Sequence, residues 1–216
     1  MHSIKHLLLV NILIIPIVLF VQLHLAYGAS VDENKETLLK TNKCPKCDLK
    51  NVNLQGADLQ LANLRGAVLS DANLMDANLK GADLEGAYLE GAYLLDVNLH
   101  NANISSVMLG GAKVMGADLT GANLAKALLI GTNLSWAWLN NANLSGADLT
   151  DANLKGAVLM HANLHGANLK GASLIESNLT KADLHDATVE NANFVGAVGL
   201  SRAKKEDLKK RGAKVD

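Results

Sequence analysis

Residues 47–86 read CDLKN VNLQG ADLQL ANLRG AVLSD ANLMD ANLKG ADLEG, eight blocks of five in one register. The register continues without a slip to ANFVG at Ala192–Gly196. Let the central Leu of each block be position i. Between Leu49 and Phe194 there are thirty such positions, and 26 hold Leu; Ile104, Val114, Val189 and Phe194 are the exceptions. Position i−2 is Ala in 24 of the thirty, and i−1 is Asn or Asp in twenty. A period of five keeps both apolar positions on one side of neither an α-helix nor a flat strand. A chain that turns a corner every five residues does so. In each block a large residue at i and a small one at i−2 then face inward, while i−1, i+1 and i+2 face water. Gly at i+2 in fourteen of thirty blocks supplies the permissive backbone such a corner needs.

The composition fits this reading. The 216 residues include 40 Leu, 30 Ala and 22 Asn but only seven aromatic residues, so the interior is built from Leu and Ala. So many Asn argue against long helices, where Asn prefers caps and turns. Twenty basic against 21 acidic residues exclude a strongly basic nucleic-acid binder and a polyacidic tail.

A(D/N)LxG in tandem resembles the pentapeptide repeat family. The resemblance covers residues 47–197 and implies an all-β fold, a right-handed quadrilateral parallel β-helix with four blocks per coil. Thirty blocks imply about 7.5 coils and, at strand-like spacing, a rod of about 36 Å. One pentapeptide cannot bury its Leu alone, so stacking is obligatory and both open ends need covers. Glu33–Lys40 upstream and Leu200–Arg211 downstream read as short capping helices, with Ser201 a cap and Gly212 a stop. Four segments follow: an export segment at 1–28, a linker and N-terminal cap at 29–46, the β-helix at 47–197, and a basic capping helix and tail at 198–216.

The export reading rests on Lys5 followed by the apolar run Leu7–Leu25, with Ala26-Tyr27-Gly28 as the cleavage signal. An uncleaved membrane anchor through residues 7–25 is the alternative, since about 20 apolar residues span a bilayer. Either form places the remaining chain outside the cytoplasm, periplasmic or secreted.

Candidate chemistry is sparse, and the expectation is a non-enzymatic chain with no cofactor. Cys44-Pro45-Lys46-Cys47 is a CxxC without a second pair to complete a zinc site, and the βαβ context of redox CxxC motifs is absent. The register turns both cysteines inward at the first coil, and in an oxidising compartment a structural disulfide is expected. Reduced thiols, a redox pair or a metal site are the other readings. His165 and His185 stand one coil apart, with Asp183 nearby, as weak candidates for a divalent metal; decoration of solvent-facing positions is the alternative.

The twenty-residue coil arithmetic gives a sharper surface feature. At i−1 one side reads Asp48, Val68, Tyr88, Met108, Leu128, Asp148, Asn168, Thr188, so four consecutive coils replace the polar residue. Tyr93 at i−1 and Met75, Leu95 and Met115 at i+1 extend the apolar run onto the next side, and Trp136 and Trp138 also point outward. Contiguous outward apolar residues mark an interaction surface; drift at tolerant positions and cover by a terminal segment are the competing explanations. The expected function is therefore a rigid rod presenting a surface to a protein partner or to a second copy. The family resemblance also implies an alternative, a DNA-mimicking binder of DNA gyrase. The repeat tract, with 15 acidic and 8 basic residues, favours that only mildly, and the export segment opposes it. A metal-binding or redox protein is the third reading, and direct nucleic-acid binding is not expected.

Overall fold

The structure, a computed structural model, describes residues 28–216. Apart from Gly28, the expected export segment lies outside the described residues. Every five residues the chain makes a turn, and at every corner of the repeat but Ile104–Val107 it is closed by a hydrogen bond from the i−2 amide to the preceding i carbonyl, as from Ala92 to Leu89 at 3.1 Å. At all thirty i+2 positions φ is positive, the conformation that the third residue of a type II turn requires. This explains the corner glycines. Asn or Asp stands at nine of the sixteen corners that lack Gly, and these are the residues that tolerate left-handed backbone best.

Four turns complete a coil. Parallel bridges therefore join residues twenty apart, from Lys43–Asn63 through to Asn178–Val198. Each bridge uses two backbone bonds. At the Val68–Tyr88 bridge the Tyr88 amide donates to the Ala67 carbonyl at 2.9 Å, and the Tyr88 carbonyl accepts from the Leu69 amide at 2.7 Å. The expected β-class is thus realised without strands, because among the described residues every bridge is isolated. Only the short segment between corners is extended, too little for a ladder to run along the chain.

We number the four sides by their i−1 columns: side 1 begins at Asp48, side 2 at Asn53, side 3 at Asp58 and side 4 at Asn63. Inside, none of the thirty i side chains is more than 3% exposed. The opposing Ala column leaves no room for rings. Where Thr132 and Ser177 replace Ala, each buried hydroxyl donates to a backbone carbonyl, Leu109 at 2.7 Å and Leu174 at 2.8 Å.

Helices lie at both ends of the tube. Helix α1 (Val31–Thr41) starts at a capping box of Ser30 and Glu33 and ends at left-handed Asn42. Its Leu38 is buried, whereas Leu39 is exposed. The Asn34 amide donates to the Asp48 carbonyl at 2.9 Å and ties α1 to the first coil. Helix α2 (Arg202–Lys210) starts at Ser201 and buries Leu208. Beyond α2, where the sequence predicts a basic tail, the chain re-enters the ladder. Lys214 bridges Asn193, its amide donating to Ala192 and its carbonyl accepting from Phe194, both at 2.8 Å.

Two predictions follow from this packing. Leu124→Ala, in the middle of the Leu column, lowers unfolding free energy by about 2–5 kcal/mol in a denaturant titration. The Gly196 amide, donating at 2.7 Å, and the nearby Lys205 ammonium hold the Asp216 carboxyl below its ordinary pKa. A lowered folded-state pKa stabilises the docked tail above the carboxylate range, and the effect is lost as pH falls through it. The protection factor of the Gly196 amide, its exchange relative to the intrinsic rate at each pH, therefore falls in acid, and Asp216→Asn abolishes that pH dependence.

Candidate interaction surface

The outward i−1 side chain has a local role. At all twenty Asn or Asp positions, the side-chain oxygen accepts the amide of the residue two further on, bracing the corner. On side 4 the amides also bond from coil to coil. Asn103 donates to Asp83 at 3.0 Å, Asn123 to Asn103 and Asn143 to Asn123 at 3.1 Å, and Asn163 to Asn143 at 3.2 Å. At the start of this side Arg65 is held charged by Glu85, at 2.5 Å, and then by Asp83, at 3.2 Å.

Side 1 breaks this pattern. Bridges stack Val68, Tyr88, Met108 and Leu128 in one column. Tyr88 and Leu128 are exposed, while Val68 and Met108 are half-buried. Val68, Met108 and Leu128 have no side-chain oxygen and that of Tyr88 stands at the far end of its ring, so the amides of Ser70, Glu90, Gly110 and Ile130 lose the brace found at the twenty polar positions. Each lost bond costs about 0.5–1.5 kcal/mol. Ile130, 48% exposed, belongs to the same surface and was missed from the sequence. The register arithmetic that located Leu128 places it two residues on, above Gly110 in its column.

The surface turns the corner onto side 2. Tyr93 is exposed, with the Lys113 ammonium 4.3 Å from its ring centroid, a cation–π contact. At the next corner Met75 and Leu95 are half-buried and Met115 is exposed. Trp136 follows at that corner and Trp138 on side 3, 53% and 57% exposed, with Val158 bridged to Trp138. Trp136 takes φ 61°, a costly conformation for a bulky residue, and its ring lies over Gly156 one coil on. A Cβ at Gly156 would overlap that ring. Leu61, Leu39, Val195 and Val198 are also exposed, but they fall outside this run.

The remaining candidates separate differently. The Cys44 and Cys47 sulfurs lie 2.01 Å apart, bonding distance, with Cys44 buried at the first coil. His165 and His185 stand one coil apart with their rings edge-to-face, centroids 6.2 Å apart. The carboxylate facing them, however, is Asp186 and not Asp183. Each Nδ1 is 4.0 Å from one Asp186 oxygen, whereas Asp183 accepts the His185 amide in its own corner brace. Among the described residues no group of three His, Cys, Asp or Glu is arranged to hold a metal ion.

A coil of four corner-turning blocks, stacked through backbone bridges, defines a pentapeptide-repeat solenoid. The model of the family described as pentapeptide repeats matches in eight copies, at residues 47–86, 82–121, 117–156, 127–166 and 157–196. The chain belongs to the pentapeptide repeat family, whose fold is the right-handed quadrilateral β-helix. Among solved structures it is similar to HetL, a pentapeptide repeat protein involved in heterocyst differentiation regulation from the cyanobacterium Nostoc sp. strain PCC 7120. That match has 28% identity over 80% of this chain and 93% of that one, with a TM-score of 0.39. It is also similar to QnrB1, a plasmid-mediated fluoroquinolone resistance protein, at 15% identity over 81% and 91% of the two chains, TM-score 0.37. A third is the pentapeptide repeat protein Rfr23 from the cyanobacterium Cyanothece 51142, at 27% identity over 76% and 98%, TM-score 0.24. Among curated proteins none matches the chain significantly.

The glycine under Trp136 provides a direct test of the surface geometry. Gly156→Ala displaces the indole and forces left-handed backbone on a residue with a Cβ, lowering stability by about 1–2 kcal/mol. Tryptophan fluorescence shifts with it, while Gly86→Ala, which has open space around its Cβ, leaves the emission unchanged.

Proposed function

We propose that this chain is a non-enzymatic interaction module that works outside the cytoplasm, a rigid rod whose sides 1 to 3 present an apolar surface to a protein partner or a second copy. The observation that carries this reading is the loss of corner braces along side 1. Neutral drift would scatter such costly replacements, whereas here they fall on four consecutive coils and adjoin exposed Tyr93, Met115, Trp136 and Trp138. Side 4 keeps its polar residue in every coil. Helices α1 and α2 act as covers that close the ladder at both ends of a rod of about 7.5 coils, with 29–46 and 198–216 as the covering segments.

Export is supported by the Lys5-led apolar run Leu7–Leu25 and by the paired Cys44 and Cys47, which suit an oxidising compartment. The gyrase-binding reading lacks a comparable feature, because the surface singled out by local energetics is apolar rather than acidic.

The test is Tyr88→Asn with Met108→Asn, which restores polar residues in the column and preserves the core. The double variant is expected to lose at least tenfold in capture of the native envelope partner, or to shift from dimer to monomer in sedimentation. Wild-type behaviour in both assays would sink the proposal.

A further inference from the structure

Four outward Asn residues begin an Asn-x-Ser/Thr triplet: Asn103-Ile104-Ser105, Asn133-Leu134-Ser135, Asn143-Leu144-Ser145 and Asn178-Leu179-Thr180. This triplet is the acceptor signal for N-linked oligosaccharide in exported chains, and it needs a reachable amide nitrogen and a hydroxyl two residues on. The fold sorts the four. Asn103 and Asn143 donate their amide nitrogens into the side 4 ladder, so a sugar there disturbs a coil-to-coil bond. Asn133 has an undonated nitrogen, but its oxygen accepts from Asn153, and Ser135 is buried.

Asn178 differs from all of them. Its bridge neighbours on side 3 are Val158 and Val198, so its amide makes no bond to the coil on either side. The oxygen accepts from its own corner, the Thr180 amide at 3.1 Å and hydroxyl at 2.7 Å. Those bonds aim the Thr180 hydroxyl at the Asn178 side chain and leave the Nδ2 hydrogens free. No buried side-chain nitrogen or oxygen among the described residues lacks a partner, so this unpartnered nitrogen reaches solvent. Asn178 also has a carboxylate two residues upstream. Glu176 is exposed at its corner, its carboxylate 3.8 Å from the Lys155 ammonium.

We propose that Asn178 is an N-glycosylation site, an inference that rests on the export reading above. The donor is an oligosaccharide carried on a lipid pyrophosphate. Asn178 Nδ2 attacks the anomeric carbon, and a nitrogen–carbon bond forms as the bond from that carbon to the pyrophosphate oxygen breaks. The lipid pyrophosphate leaves with the electron pair, and one amide proton passes to a base. The attached sugar projects from side 3 between Val158 and Val198, which requires no break in the backbone ladder.

The experiment is intact-mass measurement and peptide mapping of the full chain from the envelope fraction of its own cells. A mass increase of one oligosaccharide is expected on the peptide bearing Asn178, with the Asn103 and Asn143 peptides unmodified. The increase disappears in Asn178→Gln and in Thr180→Ala but persists in Thr180→Ser. An unmodified Asn178 in the exported chain overturns the assignment while leaving the export reading intact. If fractionation finds the native chain in the cytoplasm, the export reading fails. In that case a version carrying a proven secretory signal decides separately: modification at Asn178 supports the site, and an unmodified exported chain refutes it.

Discussion

The left-handed corner at every fifth residue is the constraint on which the molecule depends. With φ positive at all thirty i+2 positions, the chain turns after each short extended segment, and four turns bring it above its starting point. Backbone amides that a loop would leave to water are then taken up by the next coil, as Leu89 donates to Met108. The narrow square tube fixes the rest. Its interior holds one large and one small side chain per block, which is why Leu and Ala dominate and why, among the described residues, four of the five aromatics lie outside the repeat core. Phe194 is the exception, at the last i position, where the tube ends and Lys214 rather than another full coil lies against it.

This geometry divides the residues of each block by how freely they can vary. Changes at i and i−2 act on the whole column, because each side chain touches those above and below. A change at i−1 costs a corner brace and, where Asn stacks on Asn or Asp as along side 4, a ladder bond, which is modest for one residue and cumulative over a stack. The i+1 residue carries the least constraint. Apolar replacements at i+1 alone would therefore say little, and Ile130 or Met115 in isolation would be ordinary surface residues. The side 1 column says more, because its four replacements sit where the fold gains from a polar side chain.

The repeat register made the corner at every fifth residue and the inward Leu and Ala legible before any coordinates, and the family resemblance supplied the four sides that place the aromatics. Three features were not. Periodicity assigns a residue to a column but does not choose its rotamer, so Asp183 was placed with the histidines when Asp186 faces them. The return of Lys214 to the ladder carries no repeat signature, since a single bridge needs only one backbone pair and no Leu at i. The half-burial of Val68 and Met108 reflects coil spacing of about 4.8 Å, at which neighbouring side chains in one column cover each other.

A surface that crosses two corners constrains what can bind it. The column on side 1 and Trp138 on side 3 face different directions, so a flat partner cannot reach both. Trp136 sits at the intervening corner in a conformation that costs about 1–2 kcal/mol, above a glycine that leaves room for its ring. A partner that uses the whole surface must be concave and grip the rod across side 2, where Tyr93 and Lys113 form the floor. One that uses only side 1 gains the four-residue column and Ile130, and the roughly 800 Å² per partner of a stable interface draws it toward the neighbouring sides. The strained tryptophan corner is therefore where the two proposed occupants differ: a second straight rod packed on side 1 leaves it uncovered, and a gripping partner covers it.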